Sequence, residues 1–200
     1  MSRGFPPSPT HTREITIMLD VFASVIEDHR AIYVASPFTT GRRASRWLNE
    51  NGVIDSEVQL SNASFRARVV EQNKARAGAF VHGLRAQRSV PVIAPTELPD
   101  IQGWTQSDYH FFWGQVIEKY IETVVFLNDW EYSSGCAYEF FVAQRTRVPT
   151  VREDLTPLTR RAGEALLDEA IREASKAGHP SGFVLMVRDA LQYLDPEGGL

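Results

Sequence analysis

Residues 124–143 read VVFLNDWEYSSGCAYEFFVA, and the fold follows from how that stretch divides. It opens on Val124, Val125, Phe126 and Leu127, a short apolar and β-branched run of the kind that forms a buried strand. A polar, small-residue loop follows over 128–134. The apolar residues then fall at Cys136, Ala137, Phe140, Phe141 and Ala143, a helical rather than an alternating period. Ser133 and Ser134 are good caps for that helix. Gly135 allows a ligand close to the backbone, and Glu139 lies on the second turn above the loop. Strand, Ser/Gly loop and helix N-terminus together suit an anionic or sugar-like ligand with one carboxylate beside it.

Working outward, Ala31, Ile32, Tyr33, Val34, Ala35 and Ser36 form the first core strand, stopped by Pro37. Residues 90–94 make a second strand and 148–151 a short fourth. Apolar stripes predict helices over 14–29, 64–87 and 106–122. Residues 49–62 are polar and poorly periodic and read as an excursion. Residues 1–12 read as a flexible tail, and 13–200 as one α/β domain with a core over 31–151. Over 154–195 a helical pair is expected: Thr156 caps the first helix with Pro157 at its first position, Gly178 and Pro180 end it, and a last helix covers about 181–194.

Strands alternating with helices imply a flavodoxin- or Rossmann-like parallel sheet of four or five strands, with extra helices at both ends. In that order the first and third strands are neighbours at the switch point, and ligands bind beyond their carboxyl ends. Those ends carry Ser36 to Arg43 and Asn128 to Glu139, so the two most ligand-like loops should meet.

A net charge of −4 gives no general attraction to nucleic acid. The single cysteine excludes an intramolecular disulfide framework and fits a reducing compartment. With no signal-like or membrane-spanning apolar segment, a cytoplasmic protein without membrane partners is expected. The five histidines show no metal-ligand spacing, and there is no P-loop or dinucleotide glycine motif. No metal or cofactor is therefore called for.

Trp130, Ser133, Gly135 and Glu139 spell W-x-x-S-x-G-x-x-x-E. With Ile32-Tyr33-Val34-Ala35-Ser36-Pro37-Phe38, Asn73 before a helix, and VPVIAPTEL at 90–98, the chain resembles the nucleoside 2-deoxyribosyltransferase-like superfamily over residues 31–151. The resemblance implies that Glu139 is a nucleophile attacking the anomeric carbon of a (deoxy)ribose, as in retaining glycosidases. It implies that Tyr33 orients that carboxylate. Ser133, six positions before Glu139, is similar to the branch that uses nucleoside 5′-monophosphates. A phosphate would then sit on Ser133, Ser134 and Gly135 with Arg42 or Arg43 as counter-charge. Ser36, Pro37 and Phe38 would line the substrate side; Trp130 either stacks on the base or caps the sheet. The superfamily's usual proton-donating aspartate falls on Gln115, eight residues before Thr123, and glutamine has no acidic proton to give. Asp129, Asp108, Glu131 and His110 could each supply that proton instead, with Asp129 the catalytic choice.

The expected activity is an N-glycosidase acting on a nucleoside 5′-monophosphate or related nucleotide. A deoxyribosyltransferase and a non-catalytic nucleotide sensor are the competing readings. The partner is a nucleotide or nucleoside, and the resemblance implies a homodimer or larger homo-oligomer.

Overall fold

A computed structural model describes residues 11–26, 30–52, 56–179 and 181–194. Four strands, β1 (Ala31–Ala35), β2 (Val92–Ile93), β3 (Ile121–Phe126) and β4 (Thr150–Arg152), pair in parallel in the order β2-β1-β3-β4. The first and third strands are neighbours, as the sequence predicts, with Tyr33 opposite Val124 and Ala35 opposite Phe126. All five residues of β1 are buried, because both faces of the sheet are covered.

Strand parity divides the core. Tyr33, Ala35, Val124 and Phe126 face one layer, built from α1 (Thr12–Val25), α6 (Gln106–Tyr120) and α7 (Ser134–Thr146). Ile32, Val34, Val125 and Leu127 face the other, where Ala77, Val81 and Leu84 of α5 (Glu71–Gln87) cover them. A short α4 (Ala63–Phe65) and a π-helical turn (Arg66–Val70) lead into α5, so the long helix expected over 64–87 is interrupted near its start. The C-terminal pair, α8 (Arg160–Lys176) and α9 (Gly182–Gln192), is not a separate appendage. Leu167, Val187 and Leu191 share one core cluster with Phe140 and Trp113.

Several boundaries differ from the sequence reading. The first helix starts at Thr12, inside the expected tail, and ends at Val25; residues 1–10 and 27–29 lie outside the described residues. The stretch 49–62 is largely helical: α2 (Arg42–Asn51) runs into it and α3 (Ser56–Ser61) follows. Only Ala44 and Trp47 of α2 are buried, one per turn, too sparse a stripe to show as a period. Trp47 packs edge-on against Phe65 with centroids 5.2 Å apart and donates to Ser64 Oγ at 3.1 Å. The helix expected to reach Glu122 stops at Tyr120, because Ile121 is already paired with Ala31 in the sheet.

At the C-terminal side the expected Thr156 cap is wrong. Pro157 bridges to Val151, and Thr159 caps α8 by accepting from the Ala162 amide at 3.2 Å. Gly178, with φ +69°, ends α8 as expected, while His179 N–H returns to the Ala174 carbonyl at 2.9 Å. Pro180 lies outside the described residues. No helix among the described residues is long and apolar enough to cross a membrane.

Helix α8 approaches α7 through Gly163, where an added Cβ would overlap the ring of the fully buried Phe140. Gly163→Ala should therefore destabilise the protein by about 1–3 kcal/mol, as overpacking does, read by chemical denaturation; a neutral result would mean α8 does not pack as described.

Candidate active site

Because odd residues of β1 face α7, Tyr33 and the second turn of α7 meet. The Tyr33 hydroxyl donates to Glu139 Oε1 at 2.6 Å. Tyr33 is fully buried with the Trp113 ring 5.7 Å away, and Glu139 is only 8 % exposed. Burial pushes the Glu139 carboxyl from 4.5 up to about 8; hydrogen bonds from Tyr33 and the Cys136 thiol pull the other way and lose. Burial likewise pushes the Tyr33 hydroxyl up, and the Glu139 charge adds to it. Cys136, expected as a packed residue, is buried beside this pair, its thiol pushed up by burial and then by Glu139 and, more weakly, Glu131.

The loops beyond β1 and β3 do converge. At Gly41, with φ +91°, a Cβ would come within 3.3 Å of Pro37 Cβ and 3.5 Å of Asp129 Cβ, so glycine is needed where they touch. Beside them lies a cavity of about 390 Å³, bounded by Thr40, Gly41, Gln106, Glu131 and Tyr132, with α8 and α9 closing the far side. A second, of about 300 Å³, adjoins it and shares Ser45, Tyr132, Ala174 and His179. Tyr33 and Glu139 are on neither lining; the acid that lines the larger cavity is Glu131.

Glu131 belongs to a 3-10 turn (Trp130–Tyr132) just before α7 and is 7 % exposed. Burial raises its carboxyl above the ordinary range, against its own backbone amide and Arg42. Asp108, His110 and Asp129 are committed elsewhere. Asp108 is fully buried and caps α6, accepting from Thr105 N–H at 2.8 Å and Thr105 Oγ1 at 2.6 Å, with His11 Nδ1 at 3.0 Å. His110 is stacked on Tyr138 at 4.9 Å, and burial lowers it to about 4. Asp129, expected to be catalytic, instead makes the turn at φ 72° and pairs with Arg42 at 3.4 Å. Gln115 is half-buried on α6, about 14 Å along the helix from Gln106, and lines neither cavity.

The expected substrate-side residues divide as follows. Trp130 is core, packed between Phe126 at 4.9 Å and Phe140 at 4.8 Å, so it caps the sheet and cannot stack on a base. Ser133 spends its hydroxyl on the Cys136 amide at 3.4 Å, and Ser134 accepts from Gln106 at 3.1 Å. Gly135 is half-buried, and a Cβ added there would lie 3.8 Å from Ser133 Oγ. Arg42 is held by Asp129 and Glu173, and Arg43 by Asn73 Oδ1 at 3.1 Å. Asn73 in turn donates to the carbonyls of Phe38 and Thr40, at 3.0 and 3.1 Å, so Arg43 braces the β1 loop, and it lines neither cavity. Pro37 is buried and Phe38 half-buried, under Lys74 at 4.8 Å. The hydroxyls of Ser36 and Thr40 are buried without a hydrogen-bond partner among the described residues, which suits them to a ligand's polar groups. Sequence reasoning misses Gln106 and Glu173, because nothing local in their sequence marks them, and reaches Tyr132 only as part of the loop 128–134. Among the described residues no group of three or more His, Cys, Asp or Glu side chains could hold a metal ion.

Glu139 links folding to pH. Between 4.5 and about 8 the unfolded chain has released this proton while the folded one keeps it. Its contribution is therefore full below pH 4.5 and declines up to about pH 8, by at most about 1.4 kcal/mol per pH unit. Glu139→Gln should gain stability relative to the parent across that window and track it outside, as measured by denaturant melts at several pH values.

No family model matches this chain, and no curated protein or solved structure matches it.

Proposed function

We propose that this protein is an N-glycosidase that cleaves the base–sugar bond of a nucleoside 5′-monophosphate or a related nucleotide. The observation that carries the reading is the 2.6 Å bond from Tyr33 to the buried Glu139, at the switch point of a parallel sheet. Glu139 is the nucleophile and Tyr33 fixes its rotamer. Glu131, buried on the cavity wall and raised by that burial, is the general acid in place of the missing aspartate.

In the first step a Glu139 oxygen bonds to C1′ as the C1′–N bond breaks. The bonding pair leaves with the base, which takes a proton from Glu131. In the second step water, deprotonated by Glu131, adds to C1′ and releases Glu139, giving free base and sugar phosphate. The positive charge that develops at C1′ favours the ionised form of Glu139, so the carboxylate that burial disfavours in the empty protein is the form the transition state selects. A second base in place of water would make the same intermediate a transferase. Exposed Ile17, Val21 and Val25 on α1 would be covered in the homo-oligomer that the resemblance implies.

A second reading has its own support. Glu139 lines neither cavity and, raised to about 8 by burial, holds its proton at neutral pH, which suits a nucleotide-binding module that performs no chemistry.

Incubation with a panel of nucleosides and nucleotides, with chromatography of the products, separates these readings. The glycosidase releases base without an acceptor, with a bell-shaped pH profile of kcat/KM in which attack needs Glu139 ionised, a titration near 8, and departure of the base needs Glu131 protonated. Glu139→Gln should abolish release, and Glu131→Gln should lower it by about 10²–10⁴-fold. Release that needs an acceptor base identifies the transferase, and binding without any release identifies the sensor.

A further inference from the structure

We propose that the smaller cavity is a binding site for a phosphate group, and that the Glu173 carboxylate of α8 occupies it as an internal stand-in until phosphate displaces it. The inference requires no catalysis and so stands apart from the glycosidase reading.

Glu173 is held as a bound anion would be. Its Oε2 accepts from the Tyr132 hydroxyl at 2.5 Å and from Arg42 Nη1 at 3.1 Å, with Oε1 3.5 Å from the same nitrogen. The Arg42 guanidinium lies over the Tyr132 ring, 4.8 Å from its centroid, and is fixed from behind by Asp129 at 3.4 Å. The Tyr132 bond first, and Arg42 after it, hold the Glu173 carboxyl below the usual range, so it is charged at neutral pH. These donors come from the loops beyond β1 and β3; the carboxylate comes from a helix far along the chain.

The cavity offers more than one carboxylate can use. Arg46 lines it one turn beyond Arg42, is exposed, and makes no ion pair among the described residues. Ser45 and Asn49 add neutral polar groups. The lining of this cavity carries two arginines, Arg42 and Arg46, and one carboxylate, Glu173. With Glu173 turned outward no carboxylate is left on that lining, which calls for an anion. Turning it outward is feasible because its side chain is already 43 % exposed and gains water as it leaves. A phosphate has more acceptor oxygens than a carboxylate and can engage Arg42, Tyr132 and Arg46 together. Tyr132 also lines the larger cavity, so the exchange alters the wall of both.

The test is titration calorimetry of the full chain with inorganic phosphate, and separately with a nucleoside and its 5′-monophosphate. Glu173→Gln removes the competing charge and should tighten inorganic phosphate about tenfold, the gain expected when an occluded state is emptied. Glu173→Ala should shift affinity the same way, while Arg46→Ala should weaken phosphate in either background. If Glu173→Gln and Glu173→Ala leave phosphate affinity within about twofold of the parent, or if Arg46→Ala has no effect, the site is not there. A gain by Glu173→Gln for the monophosphate but not the nucleoside would identify the ligand's own phosphate as the occupant. A nucleoside affinity that changes when inorganic phosphate is added would identify free phosphate. Base release failing while these shifts appear would overturn the glycosidase reading and leave this site intact.

Discussion

A carboxyl group withdrawn from water needs a donor, and here the donor to Glu139 is the hydroxyl of Tyr33, 2.6 Å away. The pair exists because of strand parity. A one-residue slip of β1 would turn Tyr33 toward α5 and set Ile32 or Val34 against Glu139, leaving a buried acid facing hydrocarbon. The pairing of β1 with β3 prevents this, since Tyr33 is registered on Val124 and Ala35 on Phe126. Sheet register, helix placement and the chemistry of the site thus depend on one another.

The second constraint is the meeting of two loops with a distant helix. Gly41 lets the loop beyond β1 touch Asp129 beyond β3, and Arg42 then reaches Asp129 on one side and Glu173 on the other. A parallel latch ties the end of β3 to the turn after β4: Arg76 bonds Glu153 and the Asn128 carbonyl, and Glu153 accepts from the Asn128 amide at 3.0 Å. The loops are therefore held by charge-assisted bonds where the sheet's own hydrogen bonding ends. The C-terminal pair takes part in the cleft as a wall, because Leu167, Val187 and Leu191 anchor it to the core that contains Phe140.

Much of this was legible in residue order. The β-branched runs marked all four strands, and the Ser/Gly loop before Glu139 marked the candidate site. The misreadings have physical causes. Two buried residues in α2 are too few to show a period. Thr156 and Pro157 look like a helix start, but Pro157 is held at the sheet edge by Val151 and the helix waits for Thr159. Trp130 sits in a ligand-like loop, and only its position between Phe126 and Phe140 shows that it serves the core. Gln115 occupies the expected place along the chain, yet it lines neither cavity, while Gln106 of the same helix lines the larger one.

By itself the sequence determined the local objects: which runs become strands, which helix bears Glu139, and that Ser133 caps it. These depend on interactions within a few residues, which neighbouring letters specify. Only the tertiary structure decided which charge meets which. Arg42 and Glu173 are 131 positions apart, and whether a carboxyl keeps its proton depends on how completely other segments exclude water from it. Burial and through-space charge are properties of the assembled layers, and no local pattern encodes them.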